Sequence, residues 1–185
     1  MRLSILKIAL RRFLDDTRGS VMVEAVITLP LLVWMLAATY EFFEVHRYKS
    51  VREKASYTIA DMLSREQTEP VTPSYMDNTL TLFNEITNDD GVNQIRVSII
   101  QYDEDNNEYF IHWSEVRGTG GMGVLTDADV ASAHATLPIM NDAEQLILVE
   151  SASTYSPAFE VGLNDNLSID TRVFTAIRFA PKIDF

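Results

Sequence analysis

From Val21 to Tyr40 the chain reads VMVEAVITLPLLVWMLAATY, about 20 residues with one charge. At about 1.5 Å of rise per residue this run matches the hydrocarbon thickness of a bilayer, and Leu, Val and Trp occur all round its helical circumference. The pattern predicts a membrane-spanning helix rather than a buried core helix. Beyond it, Tyr40, Phe43, Tyr48, Val51, Ala55, Ile59 and Met62 follow one another at intervals of three to five residues, with Arg47, Lys49, Arg52, Glu53 and Lys54 between them. That spacing predicts that the helix runs on to about Ser64 and packs an apolar stripe of its second half on a domain.

Glu69-Pro70-Val71-Thr72-Pro73 is a breaker-rich connection, and Pro73 to Ile86 reads as a second helix. IRVSIIQY, the polar turn DEDNN and EYFIHW predict a β-hairpin from Ile95 to Trp113. Two further strands are expected at Gln145 to Ser153 and Thr171 to Phe179, separated from the hairpin by a glycine-rich loop and a short helix near Asp127 to His134. The fold class expected is α+β: a long N-terminal transmembrane and amphipathic helix, then an antiparallel sheet of about four strands covered by helix. The organisation reads as a basic leader over 1–19, a transmembrane helix over 20–43, an amphipathic extension over 44–66 and an extracytoplasmic α+β domain over 67–185.

Charge orients the helix. The net charge is −12, yet residues 1–19 hold Arg2, Lys7, Arg11, Arg12 and Arg18 against Asp15 and Asp16. Basic residues beside a first span stay on the cytoplasmic side, which places the acidic C-terminal domain outside the cytoplasm. Leu3, Leu6, Leu10 and Phe13 recur at helical spacing, so the leader suits either a basic amphipathic helix on the inner membrane surface or a plain charged tail. The apolar run exceeds the usual signal-peptide core, and no A-x-A site follows it. An acidic body with scattered cations repels phosphate backbones, which argues against a nucleic-acid partner.

The chain has no cysteine, which removes disulfides, thiolate metal sites and a Cys nucleophile. His46, His112 and His134 lie far apart and form no helical metal pair. Gly118-Thr119-Gly120-Gly121-Met122-Gly123 satisfies G-x-G-x-x-G but lacks the strand and helix context of a dinucleotide site, so an inter-strand loop is expected. Asp103, Asp105 and Asn107 imitate the start of a calcium loop, but Glu108 and Ser114 stand where Gly and Glu are needed, so a solvated turn is expected. No catalytic motif is found, and no enzyme, metal or cofactor is expected.

Glu24 stands inside the apolar run near its cytoplasmic end, where a carboxylate either snorkels to the headgroups or has a partner. The basic leader ends in Gly19, Ser20 follows, and Glu24 lies four residues further on. This arrangement resembles prepilins. In that family a membrane peptidase cuts after the glycine, and the glutamate at the fifth mature position pairs with a neighbouring subunit's amine. The segment RGSVMVEAVITLPLL, residues 18–32, is similar to the signature of TadE-like proteins, the minor pilins or pseudopilins of the tight-adherence (Flp) pilus system. Arg18, Gly19, Ser20, Val23, Glu24, Leu29, Pro30 and Leu31 carry the likeness. Ala25 stands where many relatives have Phe or Tyr. Weaker likeness extends to Ala60-Asp61-Met62-Leu63-Ser64-Arg65, to Val149-Glu150 and to Tyr155-Ser156-Pro157.

The resemblance implies processing between Gly19 and Ser20 and subunit register set by Glu24. Pro30 removes one backbone donor, so a kink is expected there, either a bend that helps helices pack in an assembly or a harmless one. The resemblance also implies a single-pass protein of the bacterial inner membrane, with its N-terminus cytoplasmic and its domain periplasmic. The partners implied are the prepilin peptidase, other pilins or pseudopilins, the pilus assembly platform and the lipid bilayer, and the role is in assembly of an adhesive pilus. The alternative is an uncleaved, membrane-anchored sensor or ligand-binding domain.

Overall fold

The computed structural model describes residues 19–66, 70–89, 91–159, 162, 166–180 and 182–185. The expectations for the basic leader, including Arg18, and for Glu69 in the first connection therefore lie outside the described residues. Helix α1 (Ser20–Ser64) is followed by α2 (Pro73–Thr87), strands β1 (Asn93–Asp103) and β2 (Glu108–Gly118), the short α3 (Asp127–Val130), and strands β3 (Gln145–Tyr155) and β4 (Leu167–Ala176). All strand pairs are antiparallel, in the order β2-β1-β3-β4. The α+β layout expected from the hydrophobic pattern is therefore present.

Each element has a local cause. Thr72 caps α2 by accepting from the Tyr75 N–H at 3.2 Å, and Pro73 fills the first turn, where its missing N–H costs nothing. Asn88 ends the helix in the left-handed region, at φ 49° and ψ 45°. In the β1–β2 turn Asp103 accepts from the Asn106 backbone and side-chain N–H groups, and Asn107 takes a φ of 52°. These are the residue types such a turn needs.

The sheet has two covered faces because its central strands, β1 and β3, are buried on both sides. One face presents Ile95, Val97, Ile99, Ile147, Val149 and Val173 to Ala55, Ile59, Ala60 and Leu63 of α1 and to Met76 and Phe83 of α2. Small residues on α1 bring it close, and Ser56 there meets Thr171 at 3.0 Å, which in turn meets Ser151 at 2.6 Å, a buried hydroxyl chain joining α1, β4 and β3. The opposite face puts Ile100, Leu146, Leu148 and Tyr109 under Val130, Leu137 and Met140 of the β2–β3 connection.

A bulge in β2 serves both faces at once. Ile99 pairs with Trp113 and Ile100 with Ile111, so His112 is the extra residue. Ile111 and Trp113, two apart, would otherwise point the same way; the bulge sends Trp113 to the α1 side and Ile111 to the other. Trp113 then donates to the Ile183 carbonyl at 2.8 Å and His112 reaches Asp184 at 2.9 Å, which fastens the C-terminal segment to the sheet. Hydrogen bonds from His112, and then from Lys182, hold the Asp184 carboxyl below its usual range.

Three expectations are corrected. Strand β4 begins at Leu167 and ends at Ala176, not at Thr171 and Phe179. Ser168, Asp170 and Arg172 load its outward positions with polar groups, and only the alternate Ile169, Thr171 and Val173 are buried. The helix expected at Asp127 to His134 is the four-residue α3, after which Ala133 and Thr136 bond three residues back and the helical ladder stops. On α1, Tyr40 and Phe43 of the expected stripe are exposed, and Met62 is half-buried. The buried face instead carries Glu41 and Arg52.

Candidate functional site: the apolar helix and its junction with the domain

Helix α1 has two halves with opposite surroundings. Val21, Met22, Val23, Val26, Ile27, Leu29 and Leu31 to Leu36 are between 52% and 73% exposed, on every side of the helix. It is the one helix among the described residues long and apolar enough to cross a membrane. Ser20 to Tyr40 spans about 30 Å, the thickness of a hydrocarbon core.

Of the four residues singled out from sequence, Gly19, Ser20 and Glu24 fall at the start of this uncovered half and Pro30 at its middle. Gly19 precedes the helix at φ −79° and ψ −17°, a conformation open to any residue, and a Cβ there would meet nothing within 4 Å. Ser20 is the first helical residue. Glu24 lies one turn further and is exposed; its backbone carbonyl accepts from the Thr28 hydroxyl at 2.8 Å. Pro30 sits inside α1, which is continuous through it. Gly19, Ser20 and Glu24 are thus brought within about one turn of one another, and Pro30 lies about 9 Å beyond Glu24 along the axis.

The uncovered half ends at Glu41. This residue is fully buried, accepting from the Tyr155 hydroxyl at 2.8 Å and from the Phe159 backbone N–H at 2.8 Å. Two donors on a buried carboxylate are what keep it from being a severe cost to the fold. Burial, and then the hydrogen bond to Glu41, push the Tyr155 hydroxyl up to about 12. An unfolded tyrosine titrates near pH 10, so between about pH 10 and 12 the unfolded chain releases this proton and the folded one keeps it. Stability contributed by the shift is complete below about pH 10 and is lost as pH rises to about 12. Urea titrations in detergent at a series of alkaline pH values should show that decline, and Tyr155→Phe should make it shallower, with the raised Tyr48 and Tyr75 hydroxyls carrying the rest; an unchanged slope in the variant would rule the Tyr155–Glu41 contact out as a source.

About three turns beyond the junction, Arg52 is 1% exposed. Its guanidinium lies 3.0 Å from the centroid of the Tyr48 ring, donates to the Tyr48 carbonyl at 3.3 Å and pairs with Asp89 at the end of α2. The Tyr48 hydroxyl lies 2.9 Å from both Asp89 and the Thr154 carbonyl. Burial lowers the Arg52 pKa, opposed by Tyr48 and Asp89, and burial followed by the bond to Asp89 raises that of Tyr48. These groups line an open cleft of about 580 Å³ with Arg47, Tyr155 and Asn166. Because Arg52 is already paired, the cluster locks α1 to α2 and β3 and does not present a free charge. A second open cleft, of about 550 Å³, lies over the outer sheet face, where Glu150 accepts from Arg96 at 2.7 Å and Arg172 at 2.8 Å across three strands.

The other motifs have structural settings. Strand β2 before the glycine run is antiparallel to its neighbour, and no helix opens at the glycines. Gln94 instead holds the loop, donating to the Met122 carbonyl and accepting from its N–H, each at 2.8 Å. A Cβ at Gly118 would meet the Asn93 carbonyl oxygen at 2.1 Å, and one at Gly120 the Gln94 Oε1 at 2.3 Å. Asp103 is engaged with Asn106, which holds its carboxyl below the usual range. His46 meets Phe42 edge-on, His112 meets Asp184, and His134 reaches the Asn107 carbonyl, in three separate places.

Comparison with family models, curated proteins and solved structures finds no match to this chain. What the sequence reading missed is the junction: Glu41 and Arg52 as buried groups, with Asp89 and Tyr155 as their partners, whereas Tyr48 was expected in the packed stripe. A charge at a position in phase with Ala55, Ile59 and Leu63 is the one signal that pointed to Arg52.

Proposed function

We propose that this protein is a TadE-like minor pilin or pseudopilin of a tight-adherence pilus system, and that it works through assembly and not catalysis. The observation that carries the reading is the placement of Gly19, Ser20 and Glu24 at the start of a 45-residue helix whose first half is uncovered and whose second half is fixed to a folded domain. In this reading residues 1–19 remain on the cytoplasmic side of the inner membrane, and the prepilin peptidase cuts after Gly19. Ser20 then supplies a new amine, about 6 Å along the axis from Glu24. A carboxylate within the span is costly alone, and a neighbouring subunit's amine offsets that cost when the two helices are staggered. The periplasmic domain travels with the helix as other pilins and the assembly platform take up the subunit.

The test is the intact mass of the protein from native membranes, with and without the peptidase, beside Gly19→Val. The open space at Gly19 means that this variant leaves the fold alone. Loss of the mass of residues 1–19 only when peptidase is present and Gly19 is intact is the expected result. A full-length chain in every sample would overturn the processing claim. It would favour a second reading, an uncleaved anchored ligand-binding domain, for which the two open clefts are the supporting observation.

A further inference from the structure

The β3–β4 connection meets α1 at the height where the uncovered half ends. Phe159 packs edge-on against Tyr40 with ring centroids 5.9 Å apart, and its backbone N–H is held by Glu41. Yet the Phe159 side chain is 49% exposed, beside Tyr40 at 51%, Phe42 at 61% and Phe43 at 65%. Successive helical residues are about 100° apart, so Tyr40, Phe42 and Phe43 occupy the three sides of α1 that Glu41 does not. Together with Phe159 they form an aromatic collar about 30 Å from Ser20. Tyrosine gathers at this depth, its polar tip among the headgroups and its ring toward the acyl chains, and the three exposed phenylalanines beside Tyr40 continue the apolar surface of the span.

We infer that Phe159 and the collar on α1 form a membrane-seating surface, in which the domain itself rests on the bilayer through Phe159, four residues after the end of β3. The occupant is the lipid at the headgroup boundary, because the collar is continuous with the apolar surface of residues 20–40; the inference rests on that segment crossing the bilayer. Glu41 is the device that holds the seat. At the edge of a low-dielectric layer its carboxylate needs donors, and those within reach are the Tyr155 hydroxyl and the Phe159 N–H. Lifting the end of β3 and Phe159 away from this height would strip the carboxylate of both. The domain is therefore fixed in height and tilt above the bilayer, and does not swing on a flexible stalk.

The cysteine-free chain permits single-site spin labelling of the full-length protein in vesicles of phosphatidylcholine and phosphatidylglycerol. Labels go at Phe159→Cys, at Leu31→Cys within the span, and at Ile139→Cys, which is 100% exposed beside the opposite end of the sheet, where the Tyr109 hydroxyl bonds the Pro138 carbonyl. Accessibility to oxygen relative to a water-soluble nickel chelate reads depth. The expected order is Leu31 deepest, Phe159 at the headgroup boundary and Ile139 in water, with Glu41→Ala moving the Phe159 label toward water. A Phe159 label as aqueous as Ile139, with Leu31 still deep, would overturn the seating surface and leave the span intact. A Leu31 label in water would overturn the span and the seat with it.

Discussion

Asp89→Ala is expected to destabilise the folded domain by about 3 kcal/mol, because it leaves the Arg52 guanidinium buried without its counter-charge. Arg52 is 1% exposed whereas the Asp89 side chain is 29% exposed, so the penalty arises mainly at the arginine. The Tyr48 ring and carbonyl remain as weak compensation. Asp89 also accepts from the Gly91 N–H at 2.8 Å, and Asp89→Asn, which keeps that bond, separates turn from charge. The double variant Arg52→Met, Asp89→Ala should recover a large part of the loss, since an apolar side chain of similar length needs no partner. Urea unfolding of the full chain in detergent, followed by near-ultraviolet circular dichroism, reads all four proteins. A single variant within about 1 kcal/mol of wild type, below the usual loss for a stranded buried charge, would mean that Arg52 reaches water when unpaired.

Gly118→Ala should destabilise by a comparable amount, about 3 kcal/mol, while Gly121→Ala and Gly123→Ala should change stability by less than about 1 kcal/mol. Gly118 has a φ of +94°, which an L side chain rarely adopts, and its Cβ would sit 2.1 Å from the backbone oxygen of Asn93. Nothing lies within 4 Å of a Cβ at Gly121 or Gly123. The three glycines share one motif, so the contrast separates a loop that closes against β1 from one that cradles a ligand. Equal losses in all three would contradict this account, and so would a silent Gly118→Ala. The same unfolding measurement serves.

Helices α1 and α2 and the β1–β2 hairpin were legible because each is long and carries its own signal. The apolar run, the Thr72-Pro73 start of α2 and the alternation through Ile95, Val97 and Ile99 need no distant partner to be recognised. Strand β4 was placed four residues late because its buried positions are interleaved with Ser168, Asp170 and Arg172. The junction was illegible for a different reason. Glu41 is satisfied by groups 114 and 118 residues away, and Arg52 by one 37 residues away. Periodicity counts apolar positions and treats a charge in phase as a gap, so it substituted Tyr40 and Phe43 for the residue that faces the domain. The bulge at His112 is hidden likewise, since it is defined only by the register of the partner strand.

For the proposed site, order and spacing picked out Gly19, which caps α1, and Ser20, Glu24 and Pro30 on its uncovered half, while how that half meets the domain required coordinates. The two hairpins turn at opposite ends of the sheet: β3–β4 beside Glu41, β1–β2 at Asp103–Glu108, about 30 Å away along strands of this length. The connection that holds the anchor and the tip that faces away from it are thereby built from separate stretches of chain. Changes of length at the Glu104–Asn107 turn leave every contact of Glu41, Arg52 and Phe159 in place. The far end of the domain is in this sense a replaceable surface, where sequence can diversify or a peptide epitope can be inserted at little cost to how the protein stands on its helix.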